Sequence, residues 1–351
     1  SNDAIVSNTL RMWSQDNFGE DLLINVRDGG IYYWDATNGL TNRAVNITDL
    51  AGSTSAPQVA KQIMVSDRDR HVIAFGCDPE GDPGNQDPLT IRFSDQESLT
   101  EWNATATNTA GELRLGSGSE IVAAVETRQQ ITVFTDTTLY VMQFLGAPFT
   151  FGVSSISENI TIAGPKSAVA VGDAVYWMGV SEFYVYDGAM RQLPCTVRDY
   201  IFDNMNPDQQ AKVVAGLNAE HSEVWWFYPR GTSDQLDHYV VYNYAEQSWY
   251  YGSFARTAWI DRGIFSFPIA AHTDGYLYAH ETGFDDGTTN PASAIVSFID
   301  SSPLDIGDGE QFSFINRMIP DVSFKDSTAS LPSINIELKV RNAPNGEYLQ
   351  S

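Results

Sequence analysis

The chain has 351 residues, a formal net charge of −25 and an apolar content of 42% that includes 12% aromatics. It can therefore bury a large core, as one repeat domain plus a smaller one or as two ordinary domains. So acidic a surface repels phosphate and argues against the usual nucleic-acid binder, which neutralises the backbone with Lys and Arg; adaptation to a salty habitat would leave the same charge.

No run of about 18 apolar residues occurs, so no membrane span is expected. The opening SNDAIVSNTL has neither the basic nor the apolar region of a signal peptide. Without an initiator Met, and ending just after a strand-like stretch, the sequence reads as a trimmed piece of a longer protein. Cys77 and Cys195 are the only cysteines, far apart and outside any CxxC pair, so two free thiols are expected.

Strand signals recur along the chain, as β-branched and aromatic runs between Gly, Asp and Asn turns. Asp21–Gly39 reads as two strands about an Asp-Gly-Gly turn, Lys61–Gly76 repeats the form, and Leu89–Asp95 adds another strand. Glu120–Phe144 reads as three strands and Ala168–Leu193 as three more. Val213–Pro229, His238–Phe254 and Phe265–Gly283 complete the series. A shared phrase, an apolar strand and a turn before a strand ending on aromatics, returns in IYYWD, FYVYDG and VVYNY.

A unit of about 40 to 50 residues is the repeat of a propeller blade with four strands. The fold class expected is therefore all-β: a β-propeller of about six blades over residues 1–290. A β-sandwich or a double layer of sheets would leave more unpaired edges. One short helical insertion is expected near residues 196–212, with Thr196 as N-cap and Pro207 opening a second turn. It would pack over a sheet edge or contact a neighbouring subunit. After Pro291 the stretches AIVSFID, QFSFINRMIPDVSF and SINIELKVRN read as longer strands. Residues 291–351 are thus expected to be a C-terminal β-sandwich-like segment, incomplete in this chain.

Chemistry-bearing motifs are thin. His71, His221 and His238 lie beside polar turns, and His272 and His280 flank a Thr-Asp-Gly turn where they could be cross-strand neighbours. No HExxH or H-x-H pattern is present. Gly116-Ser117-Gly118-Ser119 reads as a small-residue turn rather than a nucleophile elbow. Asp95, in IRFSD, invites comparison with the sialidase Asp box, but SDQESLTEW lacks its Gly. Among metals calcium suits the sequence best, in Asp78–Asp87 and Asp305–Glu310, although neither fits an EF-hand loop and solvated acidic loops account for both. Phosphate loops are absent. Asn46, Asn103 and Asn159 begin sequons that matter only in a secreted eukaryotic protein. The clusters Tyr32-Tyr33-Trp34, Trp225–Tyr228 and Trp249–Tyr251 could stack sugars. Consecutive aromatics on a strand point to opposite faces, however, and that favours packing. No catalytic, cofactor-binding or metal-binding residue is assigned.

Several phrases fall together in order: WSQDNFGEDLL before IYYWD, LTIRFSDQESLTEWNATATNTAG, then ITVFTDTTLYVMQFLGAPFTF running into ISENITIAGPKSAVAVGDAVYWMG. FYVYDG, the helix at Thr196–Met205, EVWWFYP and YVVYNY follow. This order resembles the β-propeller part of tail nozzle, stopper or packaged-DNA-stabilisation proteins of short-tailed phages, over nearly all of Trp13–Gly283. The resemblance implies a non-enzymatic virion protein without cofactors. It would form a homo-oligomeric ring of six copies below portal and adaptor that closes or extends the DNA exit channel. Double-stranded DNA would pass the lumen without specific binding, since a wall of Asp and Glu repels its phosphates. The other readings are a carbohydrate-active or glycan-binding extracellular propeller and a cell-surface interaction propeller.

Overall fold

The computed structural model describes residues 11–283, 295–303, 314–325, 327, 330–343 and 346–349. The chain divides into two units, Ser1–Thr282 and Gly283–Ser351. The first is a β-propeller of six blades, each an antiparallel sheet whose strands lie side by side in chain order.

Blade 1 holds β1 (Trp13–Phe18), β2 (Asp21–Val26), β3 (Ile31–Trp34) and β4 (Val45–Asn46). Blade 2 holds β5 (Gln62–Val65), β6 (Val72–Phe75), β7 (Thr90–Phe93) and β8 (Gly111–Arg114). In blade 3 these are β9 (Ile121–Glu126), β10 (Ile131–Thr135), β11 (Thr138–Gly146) and β12 (Thr150–Glu158). Blade 4 comprises β13 (Ala168–Val171), β14 (Ala174–Met178), β15 (Phe183–Tyr186) and β16 (Met190–Leu193), one strand more than expected. Blade 5 comprises β17 (Val214–Asn218), β18 (Glu223–Tyr228), β19 (His238–Asn243) and β20 (Ser248–Gly252). Blade 6 has three described strands, β21 (Ala258–Ile260), β22 (Ile269–Ala271) and β23 (Leu277–Ala279).

Middle strands are apolar on both faces because a blade is packed between two others. In β18 the alternation sorts the aromatics: Val224, Trp226 and Tyr228 face blade 4, while Trp225 and Phe227 face blade 6. The same division puts Val175 and Trp177 of β14 against blade 3 and Met178 against blade 5. Ile73 and Phe75 of β6 meet Ile131 and Val133 of blade 3, and Val72 and Ala74 meet Leu23 and Ile31 of blade 1. Each consecutive pair of blades thus shares one apolar core, and of the aromatic clusters of the sequence Trp225–Tyr228 is such a filling, whereas Tyr250 and Tyr251 are exposed. Trp102, Trp177 and Trp226 are fully buried. Among the described residues no such core joins blade 6 to blade 1, and Trp13, Ile260 and Leu277 are exposed.

Between blades 4 and 5 lies the helical insertion, α1 (Arg198–Phe202) followed by a 3-10 turn at Pro207–Lys212. Val197 rather than Thr196 takes the cap position of α1, and no side chain caps it. The turn starts at Pro207 as expected, with Asn206 Oδ1 accepting the Asp208 N–H at 3.1 Å. Ile201 is fully buried in the core of blades 4 and 5, so this insertion packs down on the sheets.

In the second unit, strand pairing among the described residues is limited to β24 (Val340–Arg341) with β25 (Tyr348–Leu349). Among the described residues of the three stretches expected as longer strands, Val340–Arg341 pairs, and Phe298, Phe314 and Ile319 stand exposed.

Candidate functional site

The inner strands run in step around the axis, and their free edges are satisfied by side chains. Ser14 Oγ of β1 accepts the Ile63 N–H of β5 at 3.0 Å, and two residues on, Asp16 Oδ2 accepts the Val65 N–H at 2.8 Å. Gln62 clamps β9 on both sides of Ala124, accepting its N–H at 2.9 Å and donating to its carbonyl at 2.7 Å. A parallel bridge between Lys166 and Val214 repeats the direction at blades 4 and 5. Buried backbone groups need such partners, and this explains the polar composition of β1, WSQDNF.

All inner strands therefore begin at one end of the axis and finish at the other, roughly 15–20 Å away. At the beginning, Met12, Trp13, Ser14, Arg27, Lys61, Gln62, Pro165 and Lys166 line one small concavity. They come from the neighbouring blades 1 and 2 and from blade 4, which meets those two only across the axis. Lys61 Nζ is held by Asp28 at 3.0 Å and Glu120 at 2.6 Å. Arg27 crosses to blade 3 and donates to the carbonyls of Val122 (3.0 Å) and Ile121 (3.2 Å). Burial lowers its proton affinity, while Asp28 and Glu120 oppose that. Lys166 is accessible to solvent, though ringed by protein, and has no ion pair or side-chain hydrogen bond among the described residues. Burial and the neighbouring Arg27 charge lower its affinity for a proton. Gly164 fixes the approach of this segment: a Cβ there would meet Ala211 O at 2.6 Å.

The far end is acidic. Glu126 Oε1 accepts the Asp67 N–H at 3.0 Å. Burial, reinforced by the charges of Asp67 and Asp16, pushes the Glu126 carboxyl up to about 7. Asp16 is likewise raised, chiefly by burial.

Neither cluster follows from residues singled out in the sequence. Those residues lie elsewhere. His272 pairs with Asp274 at 3.0 Å, whereas His280 Nε2 accepts from Arg256 Nε at 2.8 Å, so each has a separate partner. Burial, with the Arg256 charge, lowers His280 to about 4. His238 pairs with Asp237 and His221 with Glu281. His71 is buried among Phe93, Phe144 and Phe151 with neither ring nitrogen bonded.

Asp95 is a loop brace, accepting from the N–H and hydroxyl of Thr109 at 2.7 and 2.6 Å. Ser119 bonds both carboxylate oxygens of Asp136. Asn46 Oδ1 caps a short helical turn by accepting the Thr48 N–H.

In the Asp78–Asp87 loop, Asp78 accepts the N–H groups of Gln58, Val59 and Gly84, and Asp87 pairs with Arg114 at 2.6 Å. Asp305–Glu310 lies outside the described residues. No group of three or more His, Cys, Asp or Glu among the described residues is arranged to hold a metal ion. Cys77 and Cys195 are free thiols; burial pushes the Cys195 thiol up to about 12. No described helix is long and apolar enough to cross a membrane.

No family model and no curated protein matches this chain. Among solved structures it is similar to the extracellular domain of the putative one-component system BT4673 from B. thetaiotaomicron. That match has 12% identity and a TM-score of 0.48, and covers 82% of this chain and 33% of the other. It is similar also to BamB from Moraxella catarrhalis, with 14% identity, a TM-score of 0.40 and coverage of 77% and 71%. A third is a fungal alcohol oxidase of the AA5 family in complex with copper, with 9% identity, a TM-score of 0.47 and coverage of 75% and 58%. The chain thus spans about a third of the first of these proteins. At such identities the likeness concerns the propeller fold alone.

Proposed function

We propose that this chain is a non-enzymatic structural protein of a phage virion: a component of a tail nozzle or stopper ring that closes or extends the DNA exit channel below portal and adaptor. The observation that carries the reading is the order of phrases between Trp13 and Gly283. LTIRFSD contains β7, ITVFTDTTLYVMQF spans β10 and β11, FYVYDG contains β15, the helical insertion follows blade 4, and EVWWFYP contains β18. Two further features support it. Of the aromatics that could have stacked sugars, the cluster Trp225–Tyr228 is used between blades, although Tyr250 and Tyr251 are exposed. The charge of −25 suits a surface past which DNA slides without adhering.

Native mass measurement of the purified chain, alone and with a portal–adaptor complex, tests this. Rings of about six copies, or joining of the chain to that complex, are expected. A monomer that ignores portal and adaptor, or that retains glycans on a column, would overturn it.

A further inference from the structure

Each four-stranded blade ends on an outermost strand whose second edge has no partner strand in its sheet. Free edges invite another chain, and charged side chains along the edge are the usual protection. The outermost strands of four residues or more divide into two kinds. GELR of β8 and MRQL of β16 carry that protection in Glu112, Arg114 and Arg191. TFGVSSISE of β12 has no charge before its last residue, Glu158, and SWYYG of β20 has none at all. Beside the β12 edge the hairpin tip exposes Leu145 and Phe149, the latter by 72%, and on β20 Tyr250 and Tyr251 are exposed.

A chain with a net charge of −25 repels its own copies, so two copies approach most readily where the surface has no charge. The charges that flank the two edges are complementary at matching heights. Both strands run from the far end of the axis back to the end where the inner strands begin. At the far end Arg68, 3.9 Å from Asp69, lies over Phe144 beside the blade 3 tip, and the turn before β20 exposes Glu246. At the other end β12 closes on exposed Glu158, while blade 5 offers Arg230, stacked on Tyr200. Blades 3 and 5 stand two places apart in a propeller of six, about 120° around its axis. A subunit's two neighbours in a closed ring of six subtend that same angle. With ring and propeller axes parallel, unlike edges joined at these blades therefore close a ring instead of running on as a fibre.

We propose that the β12 edge with its Leu145–Phe149 tip, and the β20 edge with Tyr250 and Tyr251, are the two halves of a heterologous contact between copies of this chain. The β12 strand of one copy lies along β20 of the next, and the two run parallel. Arg68 then faces Glu246 of the next copy, Glu158 faces its Arg230, and blade 4 looks toward the middle of the ring. Tyrosines at the centre of such a contact are the side chains that interfaces favour. This inference rests on the ring reading and deepens it by naming the surfaces that join.

The test uses two variants of the full chain, each blocking one edge: Phe149→Asp with Ser155→Asp on blade 3, and Ser248→Asp with Tyr251→Asp on blade 5. All four positions are exposed. Ser155→Asp and Ser248→Asp singly serve if a double variant fails to fold. Native mass is read for the wild type, each variant and their equimolar mixture, alone and with a portal–adaptor complex. Where the wild type forms rings, each variant alone should stay monomeric, its self-association at least about a hundredfold weaker. The mixture should stop at dimers, because each variant keeps the half that the other lacks. Gln192→Asp, on the exposed β16 edge, should form rings like the wild type. Wild-type rings in which either variant still closes would overturn this contact and leave the ring standing. So would a mixture that stays monomeric although both variants melt like the wild type. Wild-type copies that stay single in both settings would overturn the ring, and this contact with it.

Discussion

The two ends of the propeller axis are built from the same inner strands and carry opposite charge. Where the strands begin, Arg27, Lys61 and Lys166 gather, with Asp28 and Glu120 both turned to Lys61. Where β1, β5 and β9 end, Asp16, Asp67 and Glu126 gather, and the Glu126 carboxyl holds its proton near neutrality. The first end locks blades together with charged and polar bonds, while the second concentrates repulsion. A net charge of −25 says nothing of this division, because whole-chain charge governs solubility and long-range fields rather than local pairing. The polarity exists only once blades 1, 2, 3 and 4 are in place.

If the basic end is the lock, breaking it should cost more than relieving the acidic end gains. The largest effect is expected from Lys61→Met, which keeps the apolar stem but leaves Asp28 and Glu120 facing each other. Lys61 is 9% exposed, but its partners are about half exposed. The loss should be about 2–3 kcal/mol, below the figure for a fully buried pair, measured by urea unfolding. Arg27→Met should follow, at about 1–2 kcal/mol, because the Ile121 and Val122 carbonyls lose charged donors. Equal stability of both variants and the wild type would dissolve the contrast between the ends.

Much of the framework was legible in the sequence for a reason the structure makes plain. Strands such as VIAF, ITVFT and EVWWFY are buried on both faces, so their apolar runs stand out without any alternation to decode. What escaped was the inner strands β1 and β21 and most of the outermost strands. WSQDNF of β1 is polar because Ser14 and Asp16 satisfy backbone groups of the next blade. GELR of β8 and MRQL of β16 are polar because the rim faces water. Counting Ala168–Leu193 as three strands instead of four was the result.

The axial clusters were illegible for a different reason. Arg27, Lys61 and Lys166 are separated by up to 139 residues (166 − 27), and only the closing arc of blades brings them to one point. The alternating serines and acids of the inner strands were the one available hint.

Replacing Glu126 tests the acidic end through pH. Its carboxyl is raised from an ordinary 4.5 to about 7, first by burial and then by Asp67 and Asp16. Between those values the folded chain keeps a proton that the unfolded chain has released, so the unfolded state binds fewer protons and stability falls as pH rises. Below about pH 4.5 both states hold the proton and no penalty remains. Glu126→Gln removes the titration yet keeps an oxygen to accept the Asp67 N–H. Because the carboxylate is only partly buried, water screens the effect. The variant should be more stable than the wild type by about 1 kcal/mol near pH 8, and equal to it near pH 4. Denaturant midpoints at the two pH values decide the matter. A variant no more stable than the wild type near pH 8 would mean that water relieves the acids as fully as pairing relieves Lys61, and that the two ends differ in sign but not in strain.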